Sequence, residues 1–470
     1  MKKSCSRREF IKRTAIAGSL FSIVPRHVIA DSGQTPPSEK LRVAAIGAAG
    51  RATSNINGLA DAGAEIVALC DVDTRRTDAM RKKFPNAPFF TSHTEMMDKL
   101  DKQIDGVTIG VPDHWHASLA IEMLKRGKHV QCEKPLAQSF GEVDQMIAAA
   151  NASPKLVTQA MNQGHAFDTI RTFREWVEAG LIGQVREAHF WAPASYSRMD
   201  QLDELEKQHE IPKELDWERW QGPVAPRRAY CPLYLPGSWR MWTDFGCSTL
   251  GDWACHLMDP IFWALDLDLP EAARVDDFGD WDPVKHGKTF PKGDCFTIEF
   301  PAKGSRAPLT VKWYDGPRYR SVPCPEGLPP DQFAPRMEKY VNSGPSGEGG
   351  VIYGDKGVIV YGSHGAKNLR LIKDGKLVDT SNAADMPPQR YPRVSGNSPY
   401  KEWMEAIKGG PRVGSDFAYA GNITQASLVA LASLFDPGKR LEWDAGKREF
   451  KNSAAASARL RVKRLPGYGV

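Results

Sequence analysis

Residues 106–135 decide the fold, and they read GVTIGVPDHWHASLAIEMLKRGKHVQCEKP. Residues 107–111 are a short apolar run, which Pro112 ends because proline cannot donate to a sheet ladder and restricts the residue before it. After a polar loop with two histidines and a tryptophan, apolar side chains between residues 117 and 124 recur at helical spacing. The stretch therefore begins as a strand followed by a helix.

The second half of this stretch returns to the same sheet. Gly127 supplies the left-handed residue that closes such a helix, and residues 129–132 form the next strand. Since helical crossovers join parallel strands, both polar loops, residues 112–116 and 133–135, leave the carboxyl ends of parallel strands. Open α/β sheets place their ligands at that edge, which makes Lys134 a candidate functional residue.

The composition is that of a globular protein with two or three domains. The chain has 470 residues, of which 41% are hydrophobic and 25% are charged. Its formal charge of +5 is concentrated in residues 1–30, which carry seven Lys or Arg and one acid, so the rest of the chain has a net charge of −1. A nearly neutral body gives no reason to expect a nucleic acid or an anionic membrane as a partner.

Residues 1–30 have the pattern of an export signal. Residues 6–12, SRREFIK, resemble the twin-arginine signal, and the apolar run of residues 14–24 leads to a small-residue cleavage site ending at Ala30. The alternative is a membrane anchor, but about eleven apolar residues span only roughly half of a bilayer core. We predict cleavage after Ala30, export by the twin-arginine route to the periplasm, and a polar lead-in arm over residues 31–40.

The cysteines do not indicate a disulfide framework or a metal site. Cys70 and Cys132 end predicted buried strands, so we expect them to behave as small apolar residues. Cys247, Cys255 and His256 are a loose metal-ligand possibility, but their spacing matches no zinc pattern and the second half of such a pattern is missing. The sequence therefore predicts no metal site.

A buried strand leads into residues 47–52, GAAGRA, where a dinucleotide fold places its G-x-G-x-x-G/A turn. Gly47 fits the tight turn, and Ala52 fits the close packing of the helix. Ala49 stands where a bare backbone normally meets the pyrophosphate, so Gly50 is the position that offers a close approach instead. On this loop alone, a dinucleotide site and an ordinary strand-to-helix turn both remain open.

The second predicted strand, residues 65–70, ends in Asp71. A carboxylate at that point accepts both ribose hydroxyls of adenosine and repels a 2′-phosphate, which favours NAD over NADP. Arg75 and Arg76 follow closely and would reverse this preference if they faced the ribose instead of solvent. The residues predicted here to bind NAD are Gly47, Ala49, Gly50, Arg51 and Asp71.

The chain divides into two folded parts and a tail. Six strands with intervening helices predict a Rossmann domain, a doubly wound parallel sheet, over residues 41–162. Residues 163–440 open with an amphipathic helix and continue as β-rich segments with hairpin signals such as Asp374-Gly375, which predict an α+β domain with an open, largely antiparallel sheet. For the basic residues 441–470 we predict a solvated or subunit-bridging arm.

A helix predicted from four-residue apolar spacing carries a second candidate set. Asp252 and His256 lie one i, i+4 step apart and would share one face of this helix. A carboxylate beside a histidine holds its orientation and tunes its pKa toward the working pH, as a general base for a hydroxyl requires. The alternative, a core histidine bonded to a capping aspartate, stays open, and Asp259 would serve equally as a further partner.

Three motifs around the polar loops, PDHWH at 112–116, GKHV at 127–130 and EKP at 133–135, resemble those of the Gfo/Idh/MocA oxidoreductases. The resemblance covers nearly the whole chain after the export signal. Two positions depart from the family pattern. Asp113 stands where asparagine is usual, and residues 162–165, NQGH, stand where an arginine often occurs.

The resemblance implies that the Glu-Lys-Pro sequence lies beside the nicotinamide and that Lys134 contacts the reacting hydroxyl. The family's Asp-x-x-x-His pattern corresponds to Asp252 and His256. The family's second-domain sheet packs one face on the nucleotide domain and often uses the other for oligomer contacts, so a homo-oligomer is expected. By this resemblance the predicted NAD-binding residues also include Pro112, His116, Glu133 and Lys134.

These features predict an NAD-dependent oxidoreductase of a secondary hydroxyl on a sugar, glycoside or cyclitol, with Lys134, His256 and Asp252 as catalytic residues. His256 would take the hydroxyl proton and Lys134 would stabilise the developing alkoxide. Seven of the 13 tryptophans lie between residues 191 and 263, and we expect two or three of them to face the substrate. The main alternative is a non-catalytic sugar or nucleotide sensor on the same fold, and a third is a periplasmic binding protein without cofactor.

Export and a nicotinamide site together lead to a further hypothesis. A loosely held cofactor would soon be lost outside the inner membrane. We therefore expect NAD to be bound before export, to stay bound and to be regenerated in the site. The overall reaction would then be redox-neutral: glycoside cleavage, epimerisation or sugar-to-sugar hydride transfer.

Overall fold

The computed structural model describes residues 40–192, 194–317, 348–382, 384 and 386–469. The predicted export signal, residues 1–30, and residues 31–39 of the predicted lead-in arm lie outside the described residues. The described chain forms two sheets, and side chains from both contribute to one large apolar core.

The first sheet has six parallel strands: β1 (Arg42–Ile46), β2 (Glu65–Cys70), β3 (Phe89–Phe90), β4 (Gly106–Ile109), β5 (His129–Cys132) and β6 (Thr158–Ala160). Their order in the sheet is β3-β2-β1-β4-β5-β6, which is the order of the doubly wound dinucleotide fold. The near-continuous apolar composition of β1 and β4 fits strands that are covered on both faces. The predicted Rossmann sheet is confirmed.

Five helices connect these strands: α1 (Ala52–Asp61), α2 (Asp78–Lys83), α3 (His93–Leu100), α4 (Asp113–Lys125) and α5 (Phe140–Asn151). A capping box begins α5, since the Ser139 side chain accepts from the backbone of Glu142 while the Glu142 carboxylate accepts from the backbone of Ser139. Gly127 follows α4 with a φ of +75°, as predicted for the residue that ends this helix.

Helix α4 begins four residues earlier than the apolar spacing indicates. The sequence predicts a polar loop over residues 112–116, but His114, Trp115 and His116 lie in the first turn of α4 and are buried. Pro112 has the extended backbone of a helix N-cap, with φ −61° and ψ 152°. The loop prediction was wrong because it took polar residues as a sign of exposure. Helix α4 is covered by other elements on nearly all sides, so even the polar residues of its first turn are buried.

The second sheet has ten strands: β7 (Val185–Ala192), β8 (Ala272–Asp277), β9 (Cys295–Phe300), β10 (Leu309–Asp315), β11 (Gly349–Gly354), β12 (Gly357–Gly362), β13 (Arg370–Lys373), β14 (Lys376–Leu377), β15 (Leu441–Asp444) and β16 (Glu449–Phe450). Their order is β14-β13-β12-β11-β7-β10-β9-β8-β15-β16. Among the described strand pairs, β7 and β10 run parallel and the others run antiparallel. The predicted open, largely antiparallel sheet is confirmed, and so is the hairpin at Asp374-Gly375, where φ is +48° and +70°.

In the described residues, seven further α-helices follow the first sheet: α6 (Asp168–Glu178), α7 (Trp217–Gln221), α8 (Ser248–Leu257), α9 (Asp259–Ala264), α10 (Pro399–Ile407), α11 (Phe417–Ala432) and α12 (Ala454–Arg459). Helix α11 packs on α5 and α8, so it joins the two parts of the chain. Helix α10 belongs in sequence to the second part but packs on the first sheet. Its Trp403 is fully buried and contacts Gly106 of β4.

Residues 441–469 are not a free solvated arm, and the alternative, a subunit-bridging arm, stays a prediction. Strand β15 extends the second sheet beside β8, and its Leu441 and Trp443 are buried. Helix α12 buries Ala456 and Ser457. The many basic residues of this segment indicated exposure. The apolar residues between them are buried against the rest of the protein and hold the segment in place.

Two further findings concern the helices and the cysteines. No helix in the described part of the chain is long and apolar enough to cross a membrane. Cys70 and Cys132 are buried free thiols at the ends of β2 and β5, as expected.

Candidate active site

A cleft of about 800 Å³ opens at the carboxyl ends of β1, β2, β4 and β5. This is the edge at which the sequence places the ligand, since both polar loops of residues 106–135 end there. The predicted NAD-binding residues that line the cleft are Gly47, Ala49, Gly50, Arg51, Asp71, Pro112, Glu133 and Lys134.

The loop after β1 has the geometry of a pyrophosphate-binding turn. Gly47 has a φ of +95°, and a Cβ there would lie 2.4 Å from the carbonyl oxygen of Gly110. Ala52 packs against the same Gly110, so α1 lies close to β4. Gly50 has a φ of +57°, and no atom lies within 4 Å of where its Cβ would be. Gly50 therefore leaves room for a ligand to approach the backbone. It can take over the role of the motif glycine, whose position is occupied here by Ala49.

Asp71 is held at the end of β2 by two backbone groups. Its Oδ2 accepts from Ala48 N (2.9 Å), and its Oδ1 accepts from Asp73 N (3.0 Å). Burial raises the pKa of this carboxyl above its usual value. Arg75 is engaged by Asp73 through Nε and Nη2 (2.7 and 2.6 Å), whereas Arg76 is exposed and lines the cleft. The loop and the carboxylate together fit the pyrophosphate and the adenosine ribose of NAD.

Glu133 connects the pyrophosphate-binding turn to the Glu-Lys-Pro loop. Its Oε1 accepts from Arg51 Nε (3.0 Å) and from Asn55 Nδ2 (2.9 Å), both of which belong to the start of α1. Burial works against the charge of Arg51, but Glu133 holds the pKa of the guanidinium above its usual value. The pair fixes the position of the loop that carries Lys134.

His116 lies outside the set of residues that line the cleft. Its Nδ1 is 2.7 Å from Pro135 O and its Nε2 is 2.8 Å from Val111 O, so the ring bridges the two loops. Burial lowers the pKa of this imidazole. The sequence predicts a cofactor contact for His116. The structure places it behind the loops because α4 begins at Asp113 and carries the ring into the interior.

Lys134 and Asp252 form a buried ion pair at the edge of the cleft. Lys134 Nζ donates to Asp252 Oδ1 (2.8 Å) and to Asp252 O (2.8 Å), and the two side chains are 12% and 9% exposed. Burial alone would raise the pKa of Asp252, but Lys134 and then Arg240 lower it to about 2. The same attraction overcomes burial at Lys134 and holds its pKa above the usual value. The pair is ionised across the physiological range.

Asp252 does not bond to His256, although α8 carries both as predicted. Lys134 and Arg240 Nε (3.2 Å) occupy Asp252 Oδ1, and Tyr196 OH donates to Oδ2 (2.9 Å). The predicted carboxylate–histidine pair was wrong because these donors, from other elements, take the carboxylate oxygens.

The His256 ring instead stacks on the ring of His364, with centroids 4.0 Å apart and planes 22° apart. Its Nδ1 is buried and has no hydrogen-bond partner among the described residues. Burial, and then the charges of His364 and Lys134, hold the pKa of His256 well below its usual value. The imidazole is therefore neutral at pH 7 but a weaker base than an ordinary histidine, and neither His256 nor Asp252 is among the residues that line the cleft.

Family models match both parts of the chain. One described as an oxidoreductase family with an NAD-binding Rossmann fold matches residues 41–161, and one described as the C-terminal alpha/beta domain of the same oxidoreductase family matches residues 169–280. The chain belongs to the Gfo/Idh/MocA family of oxidoreductases. Its first sheet is accordingly an NAD-binding domain, in agreement with the predicted cofactor.

Curated relatives of this Gfo/Idh/MocA chain match parts of it. The chain is 29% identical over 151 residues to the D-glucoside 3-dehydrogenase of Escherichia coli, which covers 32% of this chain and 42% of that protein. It is 27% identical over 193 residues to a glycosyl hydrolase family 109 protein of Solibacter usitatus, which covers 38% of this chain and 44% of that protein. The matches span between a third and about half of the length of the first curated relatives.

A solved structure, levoglucosan dehydrogenase in complex with NADH and levoglucosan, is similar to this chain with a TM-score of 0.58 and 16% identity. The alignment covers 86% of this chain and 99% of that chain. At this level of identity the similarity concerns the fold.

The sequence missed three site residues of this Gfo/Idh/MocA chain. Tyr196 and Arg240 contact Asp252, and His364 stacks on His256. No local pattern marks them, because they lie on separate segments that meet only in the folded chain. His364 has a φ of +60°, and burial lowers its pKa to about 4.

Two further acidic residues contribute to the electrostatics. Asp113 lines the cleft and is 2% exposed, and its Oδ1 has no hydrogen-bond partner among the described residues. Burial raises its pKa to about 8, against the opposing effect of Arg240. Asp259, considered as a further partner of His256, bonds instead to His165 Nδ1 (2.9 Å).

An aromatic roof, residues 215–245, closes one side of the cleft. Asp216 N donates to Val72 O (2.9 Å), which attaches the roof just beyond the end of β2. Trp220 and Trp239 line the cleft, while Trp217 and Trp242 pack inside the roof. The buried side chains of the roof are Leu215, Trp217, Trp220, Val224, Tyr230, Cys231, Tyr234, Trp239, Trp242 and Phe245.

Proposed function

We propose that this protein is an exported, NAD-dependent oxidoreductase that acts on a secondary hydroxyl of a sugar, glycoside or cyclitol and keeps its cofactor through a redox-neutral cycle. When bound, NAD supplies the oxidant, which accepts a hydride from the carbon of the alcohol. The residues of the chain bind the substrate oxygen, remove its proton and stabilise the charge that develops there.

The observation that carries this proposal is the coordination of Lys134. A lysine ammonium has three N–H donors, and two of them bind Asp252. Among the described residues nothing binds the third, and Lys134 lines the cleft. A fixed ammonium with one free donor is suited to hold a hydroxyl oxygen and to stabilise the alkoxide that forms from it.

The proton goes to His256 in this proposal. Its imidazole is neutral at pH 7 because burial and neighbouring charges lower its pKa, and Nδ1 has no partner among the described residues. The stacked ring of His364 holds the His256 ring in its orientation, a role that the sequence predicts for Asp252. In this proposal His256 is the general base, Lys134 the electrostatic stabiliser, and Asp252 the residue that positions Lys134.

The charges around the substrate oxygen favour an anion. Lys134 and Arg240 are cationic and share the single carboxylate of Asp252. Asp113 is predominantly protonated at pH 7 because its pKa is about 8. This group of four side chains therefore has a net positive charge, which lowers the energy of an alkoxide in a site of low dielectric constant.

Carbohydrate substrates are supported by the relatives. The matching part of the chain is similar to a D-glucoside 3-dehydrogenase and to a glycosyl hydrolase family 109 protein. Trp220 and Trp239 contribute aromatic surface to the cleft, and such surface suits the C–H face of a sugar ring.

The redox-neutral cycle is supported by two features. Residues 6–12 have the twin-arginine pattern, and export by this route to the periplasm would carry the folded protein away from the cytoplasmic NAD pool. The aromatic roof covers one side of the cofactor cleft, and a covered cofactor dissociates slowly. A ketone formed at one carbon acidifies the neighbouring C–H, which permits elimination of a glycosidic group or epimerisation before the alcohol is restored.

The experiment is to purify the protein without added nucleotide, denature it and quantify released NAD(H) by mass spectrometry. We expect close to one NAD(H) per chain. Turnover of a glycoside without added NAD would establish the closed cycle. A site that is empty after purification and exchanges NAD freely would reject retention and leave an ordinary dehydrogenase. Retained NAD with no conversion across a panel of glycosides and cyclitols would favour the sensor.

Assembly into a homo-oligomer through the second sheet is part of the proposal. The face of the sheet opposite the main core carries Trp191 and Val351, with Tyr314 and Tyr353 packed against them. Sedimentation velocity tests this, because a monomer at micromolar concentration would reject it.

A further inference from the structure

Residues 464–469 leave α12 and are fixed between α5 and the aromatic roof. Arg464 Nε donates to Glu142 Oε1 (2.7 Å), and both side chains are 5% exposed. Leu465 N donates to Pro223 O (2.8 Å) in the roof. A buried ion pair and a backbone hydrogen bond therefore fix the start of this segment.

From this anchor the chain reaches the NAD cleft. Gly467, Tyr468 and Gly469 form part of the wall of the cleft. The half-buried ring of Tyr468 meets the ring of Trp115 edge-on, with centroids 5.4 Å apart and planes 72° apart. Trp115 meets His93 in the same way at 5.4 Å. The three rings form a continuous aromatic wall.

The central ring of this wall is held in place. Trp115 Nε1 is directed at two carbonyl oxygens, Trp220 O (3.0 Å) and Arg219 O (3.1 Å). Gly222 has a φ of +51°, and a Cβ there would lie 2.0 Å from Trp115 Cε2, so the roof packs directly on the indole. A ligand that contacts this wall therefore meets a surface that is already ordered.

The wall lies at the adenosine end of the cleft. His93 begins α3 beside the edge strand β3, and Asp71 follows β2, where a dinucleotide fold binds the adenosine ribose. Lys134 follows β5, on the other side of β1 in the sheet. Trp115 follows β4, between these positions, and its contact with His93 places the wall on the β3 side of the cleft, away from Lys134.

We propose that Tyr468 and Trp115 form the adenine-binding wall of the NAD site, and that residues 467–469 slow the release of the cofactor. This inference deepens the proposed function, since it names the contact by which NAD would be retained. Adenine offers a planar π-face, and removal of an aromatic ring that a base contacts typically weakens binding by about tenfold to a hundredfold.

The test compares Tyr468→Ala and Tyr468→Phe with the unmodified protein. Each protein is loaded with NAD and mixed with an excess of isotopically labelled NAD, and the exchange of bound nucleotide is followed by mass spectrometry after rapid filtration. We expect exchange to be about tenfold faster or more in Tyr468→Ala and close to normal in Tyr468→Phe, which keeps the ring. Tyr391→Ala, which removes a half-buried tyrosine away from the cleft, is the matched control and should not change the rate.

Competition by ADP-ribose distinguishes the loss of an adenine contact from a general disturbance of the NAD site. ADP-ribose contains the adenosine end and lacks nicotinamide, so its affinity should fall by the same factor as that of NAD in Tyr468→Ala. Unchanged exchange in Tyr468→Ala, or a loss for NAD without a loss for ADP-ribose, would overturn the inference. The comparison also works if the unmodified protein is purified without NAD, so failure of retention and failure of the adenine wall are distinguishable.

Discussion

Replacing Asp252 by asparagine tests the electrostatic core of the site. Asparagine keeps an oxygen that accepts from Lys134 and Arg240, so the shape and most hydrogen bonds survive while the charge is lost. Two cations then remain in a buried site without a carboxylate between them. We expect a less stable protein with at least about a hundredfold lower turnover, because the ion pair that orients the Lys134 ammonium is replaced by weaker neutral hydrogen bonds.

The size of the stability loss follows from the pKa of Asp252. Its folded-state value is about 2 against an ordinary value of 3.8, and one pKa unit corresponds to about 1.4 kcal/mol, so the loss at pH 7 is about 2 to 3 kcal/mol. Because the folded pKa is lowered, this contribution is complete above pH 4 and disappears as pH falls from about 4 to about 2. Breaking buried pairs in other proteins costs about 3 to 5 kcal/mol, a similar magnitude.

Urea unfolding at pH 7 measures this loss directly. The matched control is Asp266→Asn, which removes an exposed carboxylate paired with Lys303 at 2.7 Å and should cost less than about 1 kcal/mol. If Asp252→Asn were as stable as this control and kept its turnover, the buried pair would not be what holds Lys134, and the reasoning would be refuted.

Three further predictions concern single side chains. His256→Ala should lower turnover by about a hundredfold or more while bound NAD is retained, and near-full activity on a confirmed substrate would reject His256 as the base. Asp71→Ala should weaken NAD binding and reduce the ratio of NAD affinity to NADP affinity in a titration of both nucleotides. Tighter binding of NADP than of NAD by the unmodified protein would show that the charge of Arg76 outweighs that of Asp71. Burial raises the pKa of Asp113 to about 8, so the unmodified protein should lose stability as pH rises from 5 to 8. Asp113→Asn has no carboxyl to ionise there, so in urea unfolding its stability should fall less steeply, by up to about 1.4 kcal/mol per pH unit.

The sequence predicts most of the fold because the deciding signals are local. Apolar runs, glycine caps and the Asp374-Gly375 hairpin each depend on neighbouring residues, and they correctly gave both sheets. The start of α4 was missed because burial of His114 and Trp115 depends on the aromatic roof, which lies about a hundred residues further along the chain.

The sequence predicted which residues form the candidate site but not which of them bond to one another. Lys134, Asp252 and His256 were identified by motif and spacing, and the structure brings Lys134 and Asp252 into contact. The pairing of Asp252 was predicted wrongly because spacing along one helix says nothing about donors from other elements. Tyr196 and Arg240 bind Asp252 and His364 stacks on His256, and each of the three comes from a separate segment.

The position of α10 has a consequence for biosynthesis. Trp403 and Val413 complete an apolar cluster with Val43 and Ala45 of the first sheet, so a nascent chain that has emerged only as far as β6 still exposes this surface. A ribosome adds about 5 to 20 residues per second, so some 250 further residues take roughly 10 to 50 s. During that interval we expect the nucleotide-binding domain to leave this apolar surface uncovered, and residues 467–469, which line the cleft, are added later still.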